Sequence, residues 1–176
     1  RRRRRVGHLQ LSGAPTTARR RPARTADGWI SSMDQAYRFS SDSAEIDRAT
    51  VHRWLSEESY WAQGRSRALQ DQAIDGSRNF GVFETASGAQ VAYARVVTDG
   101  ATFAWLCDVF VTPEVRGQGI GVALIEGIID VFESLNLKRM LLATGDAHGL
   151  YAKFGFEPLD TPSKWMLRSG EHRLSQ

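Results

Sequence analysis

From Asp34 onward the hydrophobic and polar positions follow legible periods. Residues 35–40 alternate over a short stretch and read as a first strand. Asp42-Ser43-Ala44-Glu45 has capping-box spacing, an acceptor side chain followed three residues later by Glu. Ile46, Val51, Trp54 and Leu55 then fall near helical spacing, which predicts a first helix. A polar and aromatic connection over 57–64 leads to a second helix over 65–74. Residues 79–84 form a strand, closed by the turn Ala86-Ser87-Gly88-Ala89. In residues 90–98, Val91, Tyr93, Arg95 and Val97 alternate against Ala92, Ala94 and Val96, the other half of a hairpin. Asp99-Gly100 is a turn signal into a strand over 102–111.

After Pro113 the period becomes helical. Val122, Ile125, Ile128, Ile129 and Phe132 share one face of a helix running from about Gly119 to Asn136. A short buried strand follows over 139–143, then a short helix over 148–154 closed by Gly155. A last strand is expected over 164–167. Strand, two helices, three strands, helix, strand, helix, strand is a mixed α/β (α+β) sheet, with a meander at its centre and crossover helices around it. No repeat and no linker divides it, so residues 34–168 read as one domain between tails at 1–33 and 169–176.

Charge changes this picture only at the start of the chain. Residues 1–32 carry nine arginines against one acid, Asp27, a net +8 that leaves −5 for the rest once the whole-chain +3 is matched. Arginine runs, small residues and two prolines without amphipathic period read as a disordered tail. As a nucleic-acid arm it would be the sole basic patch. A transit peptide would need an amphipathic helix, and a secretory signal an apolar segment; neither is visible. Position 1 is not Met and Met33 precedes the first patterned segment, so an over-extended reading frame or an inert tail is the expectation. No apolar run reaches the roughly 20 residues of a membrane span. The single cysteine, Cys107, allows neither an internal disulfide nor a cysteine-built zinc site, and it suits a reducing cytoplasm. No metal is expected.

The chemistry concentrates at Arg116-Gly117-Gln118-Gly119-Ile120-Gly121, on a strand-to-helix junction. Alternate glycines let the backbone approach an anion without Cβ interference, and a helix start offers unpaired N–H groups with about half a positive charge. Arg116 adds a cation suited to phosphate oxygens. A nucleotide-hydrolysing loop would end in Gly-Lys-Ser/Thr, whereas Val122 follows Gly121 here. A dinucleotide fingerprint needs G-x-G-x-x-G after a first βα turn, and this loop is G-x-G-x-G on a late strand. Alone, the loop supports an anion site or simply a glycine-rich helix start.

Two elements together resemble a known family. The run 109–121, Val-Phe-Val-Thr-Pro-Glu-Val-Arg-Gly-Gln-Gly-Ile-Gly, is similar to the signature of the GNAT superfamily of N-acetyltransferases, and Leu150-Tyr151-Ala152-Lys153-Phe154-Gly155-Phe156 resembles that family's Leu-Tyr-x-Lys-x-Gly-Phe element. The resemblance implies a single-domain acyl-CoA N-acyltransferase fold with a central, largely antiparallel, splayed sheet flanked by helices. It implies acetyl-CoA as cosubstrate, with backbone groups of Val109 and Val111 pairing with the pantetheine arm. The amides of Arg116, Gly117, Gln118, Gly119, Ile120 and Gly121 would hold the pyrophosphate. Tyr151 would protonate the departing thiolate after direct attack by an amine, and a backbone N–H, that of Val109, would stabilise the oxyanion.

The other half of the reaction is less constrained by sequence. An amine arriving as ammonium must lose a proton to a carboxylate, a His or ordered water. Asp108, on the strand that opens toward the thioester, is a candidate base, with structural and substrate-binding roles equally open. His148, three residues before Tyr151 on one helix face, is the second candidate. Asp146 reads as a helix N-cap. Cys107 reads as a buried strand residue, not a nucleophile. Tyr60 and Trp61, preceded by Glu57 and Glu58, could cage an ammonium, or the rings could cover the sheet while both acids face solvent. The expected reaction is acetyl transfer to the amine of a small-molecule acceptor. Alternatives are a catalytically weak acyl-CoA sensor, a protein N-acetyltransferase and a basic-tailed transferase on nucleic acid. Neither membrane nor nucleic acid is an expected partner, and a homodimer is compatible with the sequence.

Overall fold

The 90–98 alternation fixes which side of the sheet each residue faces, and the computed structural model, which describes residues 36–168, shows helices packed on both faces according to that choice. Both tails of the sequence reading lie outside the described residues. The strands are β1 (Tyr37–Ser40), β2 (Arg78–Glu84), β3 (Gln90–Thr98), β4 (Phe103–Val111) and β5 (Arg139–Leu141). They form one sheet in chain order, antiparallel except for the parallel pair β4–β5. A parallel neighbour needs a crossover, here helix α3 (Ile120–Glu133).

Ala92, Ala94 and Val96 face α3, where Phe80, Val82, Leu106, Ile120, Leu124, Ile125, Ile128 and Phe132 complete the larger core. Small residues on β3 let the helix seat closely. On the opposite face, α1 (Arg48–Arg53) and α2 (Arg67–Asp75) bury a second cluster including Val51, Trp54, Leu55, Ile74, Tyr93 and Phe110. Trp54 stacks on Phe110 with ring centroids 5.3 Å apart.

The first helical segment differs from the sequence expectation. The capping-box Glu45 is drawn to Arg38 (2.6 Å), so Ser43–Glu45 makes only a 3-10 turn. Ile46 is extended, and α1 starts instead under the Asp47 carboxylate, which accepts from the amides of Ala49 and Thr50. Beyond Arg53 the helix widens into a π turn, Trp54–Glu58, and the Ser59 hydroxyl donates to the Leu55 carbonyl (2.6 Å). The second helix begins two residues late because Ser66 caps it, which frees Arg65 for another task.

Helix α4 (His148–Tyr151) continues as a 3-10 turn to Phe154 and stops at Gly155 with φ 83°. Asp146 is not its cap: Ala147 holds that position, and the Thr144 hydroxyl accepts from the amides of Ala147 (3.1 Å) and Asp146 (3.4 Å). The expected strand over 164–167 does not form. Pro162–Lys164 makes a 3-10 turn, and although Trp165 is extended, no described strand offers a ladder to it, leaving Met166 and Leu167 exposed. No helix among the described residues is long and apolar enough to cross a membrane.

Ile128 is fully buried between α3 and the sheet. Ile128→Ala is expected to destabilise the domain by about 2–5 kcal/mol, read as a lower midpoint in urea with an unchanged slope.

Candidate active site

A bulge in β4 sets the geometry of the site. Tyr93 pairs with Phe110 and Arg95 with Cys107, so Asp108 and Val109 together oppose Ala94 alone. Asp108 adopts φ 53°, which few non-glycine residues tolerate, Asp being among the better ones. On the other edge, β5 pairs with β4 only as far as Trp105↔Leu141. The strands part beyond that point, and the second half of β4 has an open edge.

Two arginines hold the bulge. The Asp108 carboxylate accepts from Arg65 Nη1 (2.6 Å), Arg65 Nη2 (3.2 Å) and Arg95 Nε (2.6 Å). Its side chain is only 3 % exposed, against 17 % and 16 % for the arginines. Arg65 also donates to Gln70 Oε1 (2.7 Å), and its carbonyl accepts from His52 Nε2 (2.9 Å). Burial alone would push the Asp108 carboxyl up; the bond to Arg65 and the charge of Arg95 outweigh it and hold the group below the usual carboxylate range. A carboxylate so committed is a poor proton acceptor, with three donors already on its two oxygens. The geometry therefore favours the structural role for Asp108 over the base or substrate-binding roles. Cys107 beside it is pushed up to about 11 by burial and is no ready nucleophile.

After β4, Pro113–Val115 makes a 3-10 turn and the chain enters the glycine loop. Gly117 and Gly119 have φ 78° and 85°, conformations that a Cβ disfavours, and Gly119 is the N-cap of α3. The amides of Arg116 and Gln118 donate within the turn, to Pro113 (3.2 Å) and Val115 (3.4 Å). This narrows the expected cradle. Gly117, Gly119, Ile120 and Gly121 are the residues whose amides the turn leaves for an anion. Arg116 Nε donates to the Val111 carbonyl (2.9 Å) and its guanidinium lies over the Phe110 ring, so its terminal nitrogens are the part left for phosphate.

The loop lines a cleft of about 820 Å³, with Val111 on the strand side and Leu150 and Lys153 from the α4 region. Lys153 is a second cation there, which the sequence reading quoted in its motif without a role. Tyr151 is 8 % exposed and stands edge-on to Phe156. Its phenol is pushed up to about 12, by burial first and then by Asp146 and Tyr60. His148 lies one helical turn earlier and is exposed. Tyr60 and Trp61 do not cover the sheet: they are 65 % and 43 % exposed and meet edge to face at 4.9 Å. Tyr60 reaches across to the β5–α4 loop, where a Cβ added to Gly145 would stand 3.2 Å from its hydroxyl. Among the described residues no group of His, Cys, Asp and Glu is placed to hold a metal ion.

An open strand edge beside a helix-start cradle suits a long, extended thioester with a phosphate-bearing tail, and that is the class this fold and cleft define: an acyl-CoA-dependent acyltransferase. The model of the Acetyltransferase (GNAT) family matches residues 45–156, well over half of the chain, and the protein belongs to that family. A crystal structure from Xanthomonas campestris pv. campestris, described as an acetyltransferase of the same family, is 44% identical, with 80% of this chain and 97% of that one covered and a TM-score of 0.73. Protein FG08082 of Gibberella zeae, described as an acetyltransferase, is 29% identical over 136 residues, 66% of this chain and 76% of its own length. At 16% identity a Mycobacterium tuberculosis protein solved with CoA shares the fold, with a TM-score of 0.58 over 70% of this chain and 73% of that one.

Asp108→Ala leaves two half-buried guanidinium groups without their carboxylate and is expected to cost about 3 kcal/mol in denaturant unfolding. Because the folded-state Asp108 carboxyl is held low, its contribution is complete above the unfolded value near 4 and is lost as pH falls through the folded value. The loss on acidification should be shallower in Asp108→Asn. Gly119→Ala imposes roughly 1–2 kcal/mol of backbone strain at the cradle and should weaken CoA binding about tenfold by calorimetry.

Proposed function

We propose that this acetyltransferase moves the acetyl group of acetyl-CoA directly to the amine of a small-molecule acceptor, with Tyr151 as the donor to the departing sulfur. The observation that carries this reading is the position of the Tyr151 phenol. It is buried on the short helix whose Leu150 and Lys153 line the donor cleft, and Asp146 and Tyr60 act on it electrostatically. It thus lies between the place for the donor and the exposed rings where an acceptor would arrive.

The residues divide the work as follows. Gly117, Gly119, Ile120 and Gly121 offer amides to the pyrophosphate, with Arg116 and Lys153 supplying charge. Val109 and Val111 on the open edge of β4 offer backbone groups to the pantetheine arm. The bulge turns the Val109 amide out of the regular ladder, toward the thioester carbonyl, where it meets the oxyanion as the amine attacks. A phenol near 12 is a weaker acid than a thiol near 8.5, so full proton loss from Tyr151 to the leaving thiolate runs uphill by about 5 kcal/mol. Tyr151 therefore works by hydrogen-bonding the sulfur as charge develops and keeps its own proton, and the departing thiolate takes a proton from water. His148 is the side chain we assign to taking the ammonium proton, directly or through water. The acceptor face consists of two short loops with exposed aromatic rings, which supports a small molecule over a long polymer.

A screen of small amines with acetyl-CoA, reading thiol release, tests the reaction. Tyr151→Phe is expected to lower kcat about 10²- to 10⁴-fold while the CoA Kd stays within about twofold. Unchanged turnover in Tyr151→Phe would remove the tyrosine from the chemistry. No turnover of any amine by a protein that binds CoA would favour an acyl-CoA sensor.

A further inference from the structure

The β5–α4 loop carries a carboxylate, Asp146, that lies outside the lining of the donor cleft and whose Oδ1 accepts from the Thr144 hydroxyl at 3.5 Å. Asp146 is exposed and does not cap α4, since Ala147 occupies the cap position without a side-chain bond. Yet its backbone is held: the Thr144 hydroxyl accepts from the amides of both Asp146 and Ala147, so the loop presents the carboxylate in a set place. Opposite it stands Tyr60, whose hydroxyl approaches Gly145, the neighbour of Asp146, so closely that a methyl group there would crowd it. Tyr60 and Trp61 form an edge-to-face pair with both rings largely open to solvent. A large apolar surface left open beside a fixed carboxylate is a recognition feature in its own right.

We propose that Asp146 and the Tyr60–Trp61 pair form the acceptor site, which takes a primary ammonium carried on a flat apolar body. The ammonium docks against the Asp146 carboxylate, and the body lies on the Tyr60 ring. This rests on the transferase reading above and narrows its acceptor class. Tyr151 closes the short helix that follows this loop, and the Tyr60 hydroxyl meets the loop at Gly145, so an amine docked here is on the Tyr151 side of the cleft. The sequence pointed to Glu57 and Glu58 as the acids beside these rings. Both are exposed on the π turn, and the loop that the Tyr60 hydroxyl approaches, at Gly145 beside Asp146, comes some 85 residues later in the chain.

Docking is separate from proton removal. The Asp146 carboxylate is assigned to docking the ammonium, and removal of its proton stays with His148 or water. Asp146 is a specificity residue; the proton leaves by another group. An exposed ion pair is worth up to about 1 kcal/mol and a ring contact about as much again, so the effect to look for is several-fold rather than thousands-fold.

The test is calorimetry on the full chain saturated with CoA, comparing 2-phenylethylamine with its uncharged isostere 2-phenylethanol. The wild type is expected to bind the amine about three- to tenfold more tightly, with the preference fading as salt rises. Asp146→Asn should erase the preference and leave the CoA Kd within about twofold. Tyr60→Leu should weaken both ligands. A wild type that does not prefer the amine, or an Asp146→Asn variant that keeps the preference, overturns the site while CoA binding leaves the transferase reading standing. Absence of CoA binding in the wild type would overturn that reading and the site with it.

Discussion

The ion pairs between Asp108 and the two arginines are the constraint on which the site's geometry depends. One buried carboxylate joins Arg65, from the connection before α2, to Arg95 on the neighbouring strand. Taking these charges out of water is costly, and the arrangement stands because every Asp108 oxygen has a close donor. What it secures is a backbone conformation. A non-glycine residue at φ 53° would relax if nothing held its side chain, and the bulge that turns Val109 out of the ladder would relax with it. The clamp also fixes the end of the loop that carries Tyr60 and Trp61. One cluster of charges thereby holds both the β4 edge and the aromatic loop, the two places proposed for donor and acceptor.

The two sides of the reaction are built on different principles. The donor side is backbone: a helix start, two glycines in left-handed conformations and an open strand edge, with Arg116 and Lys153 adding charge. Backbone groups recognise what every acyl-CoA shares, the pyrophosphate and the amide-bearing arm. On the side proposed for the acceptor the features are side chains, Tyr60 and Trp61 from one loop and Asp146 and His148 from the β5–α4 region. Side chains on loops set specificity, because they vary without disturbing the sheet. Tyr151, the proposed donor to the sulfur, is buried on the short helix between these two sides, and burial pushes its phenol up to about 12.

Much of the fold was legible because periodicity reports burial directly. The alternation of residues 90–98 named the two faces of β3, and the 3.6-residue stripe from Val122 to Phe132 named the face of α3. Local pattern failed where a distant residue competed for a side chain. Glu45 left its capping box for Arg38, and Arg65 left its helix for Asp108. The strand expected at 164–167 failed for a related reason: extended, apolar sequence makes a strand only when an edge pairs with it. Asp146 reads as a cap because the residue type suits that role, but Ala147 holds the cap position with no side-chain bond, and the Thr144 hydroxyl holds the loop before it.

By itself the sequence determined the order of elements as far as Gly155, the glycine turn that starts a helix at residues 116–121 and the short helix that carries the 150–156 motif. These are local properties: a glycine that permits a positive φ, a helix that begins where its amides are free, a short motif whose residues are chain neighbours. It could not decide the role of Asp108, the acid that faces Tyr60 or the amides left open in the loop. Those depend on which groups, 43 residues apart for Arg65 and Asp108, come within hydrogen-bond reach. Charge and desolvation act through space, so only the folded chain shows that Asp108 is held by two cations and Asp146 by none of the described ion pairs.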